Sequence, residues 1–193
     1  SGGAPFALAC AYQLPDRVTA CGVVSGAAPM ELVMGEMPPA TRWQFAVARR
    51  VPGSIRLLLW LRTGRHYTKD FETARAAFEK GLEQAAGPDR AFQNAPGNAL
   101  TVHMLREAFR QGMRGPSYEG RLLVRDWGFR LEDVTHEHVY LWHGDLDVQI
   151  PSAAARAVAE RIPHCEAVFY PDEAHASAVV HHTEEMLHTL AEW

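Results

Sequence analysis

The run Val139-Tyr140-Leu141-Trp142-His143-Gly144-Asp145-Leu146-Asp147-Val148-Gln149-Ile150-Pro151 sets an uninterrupted apolar segment directly against a turn that carries two carboxylates. An apolar run without alternation, rich in aromatic and β-branched residues and closed by a glycine, reads as a strand buried on both faces, the kind found in parallel sheets covered by helices. Two further segments, residues 18–25 and 167–170, share that enrichment and end in loop signals, Gly26-Ala27-Ala28-Pro29 and Pro171. Helical stretches separate the three, so the predicted class is α/β with about three parallel strands. Open sheets of this class place their sites at the carboxyl ends of strands. Asp147 sits there in the pattern G-x-x-D-x-x-[IV]-P, with Pro151 opening the following helix. Asp145 is the competing carboxylate of the same turn, and in isolation an acidic turn residue is more often a cap or a solvated group.

Toward the C-terminus, Ala167-Val168-Phe169-Tyr170-Pro171-Asp172-Glu173-Ala174-His175 is a strand followed by a short acidic loop ending in histidine. Imidazole is the side chain that takes and returns a proton near neutrality. Among ten histidines, His175 stands apart because it follows the terminal strand, 28 positions after Asp147. His181 and His182 fall on the last predicted helix and read as solvated or packed. No acidic or cysteine partner completes a metal-ligand pattern near them, so no metal and no cofactor is expected.

Toward the N-terminus, Ser1-Gly2-Gly3-Ala4-Pro5-Phe6-Ala7-Leu8-Ala9-Cys10-Ala11-Tyr12 places a serine before tiny residues and an apolar helix. A serine on a tight strand-to-helix turn needs small flanking residues so that backbone segments can pass closely. Gly3 would supply the second half of a G-x-S-x-G turn, whose first half would lie before residue 1. Alone this motif is weak, and it gains force from the two that follow it in the chain.

Between the first and second strands lie about a hundred residues that read as successive helices. Ser54 is expected to cap a helix ending at Gly64, Asp70 one running to about Gln84, and Asn98 one ending at Gly112. Met104, Leu105, Ala108 and Phe109 recur at helical spacing as one apolar stripe. Pro38-Pro39, Val51-Pro52-Gly53, Gly87-Pro88 and Gly115-Pro116 punctuate the segment. The predicted division is therefore a core of residues 1–28 and 135–193 with an all-helical cap over 29–134. Trp43, Phe45, Trp60, Phe71, Phe78, Phe92 and Phe109 suit either an apolar substrate pocket or an ordinary helical core. Arg42, Arg49, Arg50, Arg56, Arg62 and Arg65 suit a solvated face better than a carboxylate site. Trp127-Gly128-Phe129, just before the second strand, lines a pocket mouth or staples cap to core.

Ser1-Gly2-Gly3 through Ala9 with Leu14-Pro15-Asp16-Arg17-Val18, then Trp142-His143-Gly144 through Pro151, then Tyr170-Pro171 through His175, together resemble the α/β-hydrolase superfamily, in particular its capped, serine-nucleophile esterase-like and aminopeptidase-like members. The order Ser, Asp, His is the one that distinguishes this superfamily among serine-triad folds. The resemblance implies an eight-stranded sheet of which this chain holds the last three strands and the cap inserted after the first of them. It implies Ser1 as nucleophile, Asp147 as orienting acid, His175 as base and the Gly2 N–H as one oxyanion donor. The second donor is expected from a loop outside this chain, and the missing N-terminal half of the fold in a parent protein. The implied substrate is a small ester, thioester or amide, and the chain alone is expected to hydrolyse little.

Composition narrows the field. At 193 residues and 47% hydrophobic the chain buries one sizeable core without staples. A formal charge of -4 offers no overall phosphate-neutralising surplus, so nucleic acid is not the expected partner. Residues 55–61 form the longest strongly apolar run, interrupted by Arg56 and far short of the roughly 20 residues that span a bilayer. Cys10, Cys21 and Cys165 are odd in number and form no CxxC pair, so they read as buried apolar residues in a reducing compartment. A cytoplasmic location is expected, with secretion left open because residue 1 is already a motif serine. Two other readings remain: an N-terminal-nucleophile hydrolase using the α-amine of Ser1 as base, and a non-catalytic binding protein on a hydrolase scaffold.

Overall fold

The computed structural model describes residues 1–35, 42, 50–51, 53–91 and 98–193. Trp43, Phe45, Phe92, Arg49, Pro38-Pro39 and Pro52 lie outside the described residues. The chain divides into two compact units, Ser1–Glu36 with Asp126–Trp193, and Met37–Arg125.

The first unit is built on three parallel strands, β1 (Cys21–Val24), β2 (Val139–Gly144) and β3 (Cys165–Tyr170), in the order β1-β2-β3. Every residue of β2 is buried, as its continuous apolar run requires of a central strand. The third strand departs from expectation. Among the described residues it pairs only with β2, and it is half exposed along its length, with Val168 40% accessible, because an outer strand has a neighbour on one side only.

Helix α1 (Ala4–Gln13) packs on β1; α2 (Ser152–Arg161) packs on β2 and β3; α3 (Ser177–Ala191) packs on β1 and β2. Strand side chains alternate between faces, and one face carries Gly22, Val24, Tyr140, Trp142 and Tyr170, closed by Met186 and Leu190 of α3. Tyr140 and Trp142 stack there at 5.6 Å between centroids. Burying an aromatic pair of this size stabilises by several kcal/mol, ~25 cal/mol for each Å² of apolar surface removed from water. Phe129 stacks on Tyr12 of α1 at 5.4 Å, so the Trp127-Gly128-Phe129 segment is a staple within this unit.

The cysteines divide. Cys21 is buried and Cys165 half-buried, and burial pushes both thiols up to about 11, which leaves them unreactive at neutral pH. Cys10, expected to be buried, is exposed on α1.

The second unit contains α4 (Ser54–Leu59), α5 (Phe71–Glu83), α6 (Asn98–Ala108) and α7 (Arg114–Leu123). Asp70 caps α5 as expected, its carboxylate accepting from the Thr73 N–H at 2.9 Å. Ser54 does not cap α4. Gly53 holds the cap position at φ 85°, and the Ser54 hydroxyl donates back to the Val51 carbonyl. Gly64 does not end this helical run either: the backbone passes through a π-turn over Trp60–Gly64 and stays helical to Tyr67. Gly64 is there for packing, since a Cβ would fall 2.2 Å from Met113 Sδ. The apolar stripe on α6 is also only partly right. Val102 and Phe109 are buried, whereas Met104 is 64% exposed, because the neighbours of α6 fix which side is covered and helical spacing alone does not. No helix among the described residues is long and apolar enough to cross a membrane.

Candidate active site

The carboxyl ends of β2 and β3 carry the loops that bear Asp147 and His175. The two loops touch at Gly144: Asp145 N–H donates to the Tyr170 carbonyl and Leu146 N–H to the Glu173 carbonyl, both at 2.9 Å. A Cβ on Gly144 would lie 2.5 Å from backbone atoms of Glu173 and Ala174, so only glycine permits this approach. The close approach brings His175 Nδ1 to 2.8 Å from Asp147 Oδ2. A carboxylate accepts, so the ring donates from Nδ1 and leaves Nε2 free to act as a base.

Asp147 is held independently of that contact. Its Oδ1 accepts the N–H groups of Gln149 at 2.7 Å and Ile150 at 3.0 Å, which fixes the carboxylate as the cap of its own turn. Burial alone raises its pKa, but the bonds from His175 and the two backbone amides outweigh that and keep it below the ordinary aspartate value. A depressed carboxylate stabilises the fold fully above its unfolded pKa and loses that contribution as pH falls through the lower folded value. Asp145 points to different partners, the Ser152 hydroxyl and Arg156 at 2.8 Å, and does not meet the imidazole.

Ser1 lies at the end of β1. Its amine donates to the Val24 carbonyl at 2.8 Å, and its carbonyl accepts from Ala27 N–H at 3.0 Å and Ala4 N–H at 3.2 Å. Among the described residues no backbone carbonyl takes the Gly2 N–H, which is thus available as a donor. His181 and His182 belong to the surroundings of the histidine loop: His181 Nδ1 lies 2.9 Å from Glu173 Oε1, and His182 stacks on Tyr170 at 3.7 Å. Among the described residues no group of histidine, cysteine and carboxylate side chains could hold a metal ion.

Two site residues escape a sequence reading. Ser25, the residue after β1, is 1% exposed and sits at φ 45°, the left-handed region that non-glycine residues rarely adopt. Its hydroxyl donates to the His175 carbonyl at 2.9 Å, tying the end of β1 to the histidine loop. His143 is fully buried in β2 with Nε2 3.0 Å from the Ile150 carbonyl and 3.6 Å from Asp147 Oδ2. Its Nδ1 is buried without a partner among the described residues.

Burial holds the His143 imidazole below its ordinary pKa despite the opposing pull of Asp147. The unfolded chain binds a proton at about 6.5 that the native site refuses, so stability falls as pH drops below that value, by up to about 1.4 kcal/mol per pH unit. We expect His143→Gln to flatten the fall in unfolding free energy below about pH 6.5, measured by denaturant titration at stepped pH. Parallel curves for the two proteins would show that His143 does not carry it.

No protein-family model and no curated protein sequence matches the chain. Solved structures do. MGS-M2, an alpha/beta hydrolase enzyme from a Medee basin deep-sea metagenome library, superposes with a TM-score of 0.61 at 15% identity, over 99% of this chain and 62% of that one. The enol-lactonase from Burkholderia xenovorans LB400 gives 0.56 at 16% identity, over 100% and 62%. Est816, described as an N-acyl homoserine lactone degrading enzyme, gives 0.54 at 16% identity, over 99% and 64%. The chain thus spans less than two thirds of the length of each. With three parallel strands in sequential order, helices on the sheet and superposition across nearly its whole length, the chain has the α/β-hydrolase fold.

Proposed function

We propose that the chain carries the catalytic residues of a serine hydrolase acting on an ester, thioester or amide, with Ser1 as nucleophile, His175 as base and Asp147 as orienting acid. The observation that carries the reading is the 2.8 Å contact between His175 Nδ1 and a buried, doubly amide-anchored Asp147, at the sheet edge where Ser1 is pinned to the end of β1. Two of the solved structures that superpose on the chain are described as acting on lactones, which are cyclic esters, and this favours an ester bond.

In this reading Nε2 of His175 takes the proton of the Ser1 hydroxyl as its oxygen bonds to the substrate carbonyl carbon. The imidazolium is stabilised by Asp147, and its proton passes to the leaving oxygen, sulfur or nitrogen as that bond breaks. Water then attacks the acyl-serine, giving a proton to the same nitrogen; as the bond between acyl carbon and serine oxygen breaks, that proton passes to Ser1 Oγ and the acid is released. The Gly2 N–H serves the oxyanion in both tetrahedral states.

A fluorophosphonate probe tests the assignment. In the protein as isolated from its source, the probe is expected on Ser1, with labelling lost in Ser1→Ala and in His175→Ala. Labelling that survives His175→Ala would favour the α-amine of Ser1 as base, and no labelling at all would favour a binding protein.

A further inference from the structure

The net charge of the chain conceals a partition. Met37–Arg125 carries 15 Lys plus Arg against 7 Asp plus Glu, while the remaining residues carry 4 against 16. No carboxylate occurs from residue 37 to residue 69, a stretch holding six arginines and one lysine. Strong charge asymmetry within a chain points to a charged partner for the part that carries the excess.

The excess is concentrated in space. Helix α7 presents Arg114, Ser117, Tyr118 and Arg121, spaced by three or four residues and so along one side of the helix, with Arg125 just beyond its end. Helix α4 packs against α7, where Gly120 admits Leu59 and Ile55. Arg50 and Arg56 flank the same concavity from the α4 side, so five arginines line a cavity of about 1060 Å³ together with Ser117 and Tyr118. Among the described residues no carboxylate lines it; Glu119, the one acid of α7, lies outside the lining. Other arginines of this unit are engaged: Arg75 with Glu72, Arg110 with Glu107, Arg106 with the Lys69 carbonyl and Arg90 with the Ala85 carbonyl. Among the described residues none of the five around the cavity has a carboxylate partner; Arg121 lies 5.6 Å from the Tyr118 ring centroid.

Five like charges around one concavity repel one another, and an anion placed among them removes that repulsion. A guanidinium offers a planar fork that matches phosphate oxygens two at a time. The number of forks exceeds what a single carboxylate or phosphate can accept. The concave shape and volume are those of a small-molecule site and not of a flat macromolecular face, and Val51, Ile55, Val124 and Tyr118 supply apolar and aromatic lining for an organic portion.

We propose that the concavity between α4 and α7 binds a small organic molecule bearing two or more phosphate groups. Binding there uses none of Ser1, Asp147 or His175, so it stands or falls separately from the serine-hydrolase reading.

Calorimetric titration of the 193-residue chain with inorganic pyrophosphate tests it. Saturable binding at one site is expected, weakening as sodium chloride is raised. Arg56→Gln with Arg121→Gln is expected to lower affinity about tenfold or more. Arg62→Gln with Arg65→Gln removes the same charge from exposed positions outside the lining and is expected to change affinity little. Should the first pair melt early in circular dichroism, Arg121→Lys keeps the charge but loses the fork, and a several-fold loss is expected from it. The proposal is overturned by no saturable heat, by equal weakening in both double variants, or by unchanged affinity in Arg121→Lys. It is equally overturned if phosphatidylserine vesicles or an oligonucleotide bind and pyrophosphate does not displace them.

Discussion

Asp147→Asn is expected to leave the fold standing and to lower ester turnover by about 10⁴-fold, the scale seen when a triad aspartate is made an amide. The amide oxygen of asparagine can still accept from Gln149 and Ile150, the two N–H groups that now bind Oδ1. Its NH₂ group would then face His175 Nδ1, where Oδ2 now accepts. A donor in that place favours the tautomer with its proton on Nε2, which cannot take the serine proton. Asp145→Asn serves as the control, since that carboxylate is engaged by Ser152 and Arg156 instead. Turnover of p-nitrophenyl acetate by the protein as it occurs in its source, alongside thermal melts, reads both quantities. Asp147→Asn within tenfold of wild type, or a larger loss in Asp145→Asn, would remove Asp147 from the role given to it.

Gly144→Ala is expected to act on stability and on turnover together. The added methyl group would stand 2.5 Å from the Glu173 carbonyl and the Ala174 oxygen, and these are backbone atoms that cannot rotate away. The strand end and the histidine loop must then part. Overpacking of this kind typically costs about 1–3 kcal/mol. Parting the loops also lengthens the His175–Asp147 contact, and a misplacement of ~1 Å costs roughly 10² in rate. Denaturant unfolding and steady-state kinetics on the one variant measure both losses. A variant with wild-type stability would mean that the two loops are less tightly joined than the distances show.

The parts of this fold that are legible in the sequence are those where one local signal suffices. The uninterrupted run of β2 announces a central buried strand, and Asp70 announces the start of α5 by its own side-chain chemistry. Asp147 and His175 can be named because strand ends are where such a sheet gathers its polar groups. What cannot be read depends on contacts between distant segments. Gly144 and Gly64 look like turn and cap glycines, yet each is required by a neighbour 29 or more positions away, Glu173 and Met113. Met104 has the spacing of a core residue and lies exposed because helical period does not say which face has a partner. The arginines between residues 42 and 65 are visible as a cluster, but the cavity that gives Arg50 and Arg56 a common target exists only once α7 is packed alongside.

Ser25 sets a narrow alphabet for one position. Its left-handed backbone excludes most side chains on steric grounds, and besides serine the residues that tolerate it best are glycine, asparagine and aspartate. Glycine has no group with which to reach the His175 carbonyl, and ionised aspartate has no proton to give it. Asparagine alone among them keeps a donor. Exchanging one hydroxyl for one amide, 150 positions upstream, would therefore move the loop that carries the His175 imidazole while leaving the His175–Asp147 pair chemically unchanged.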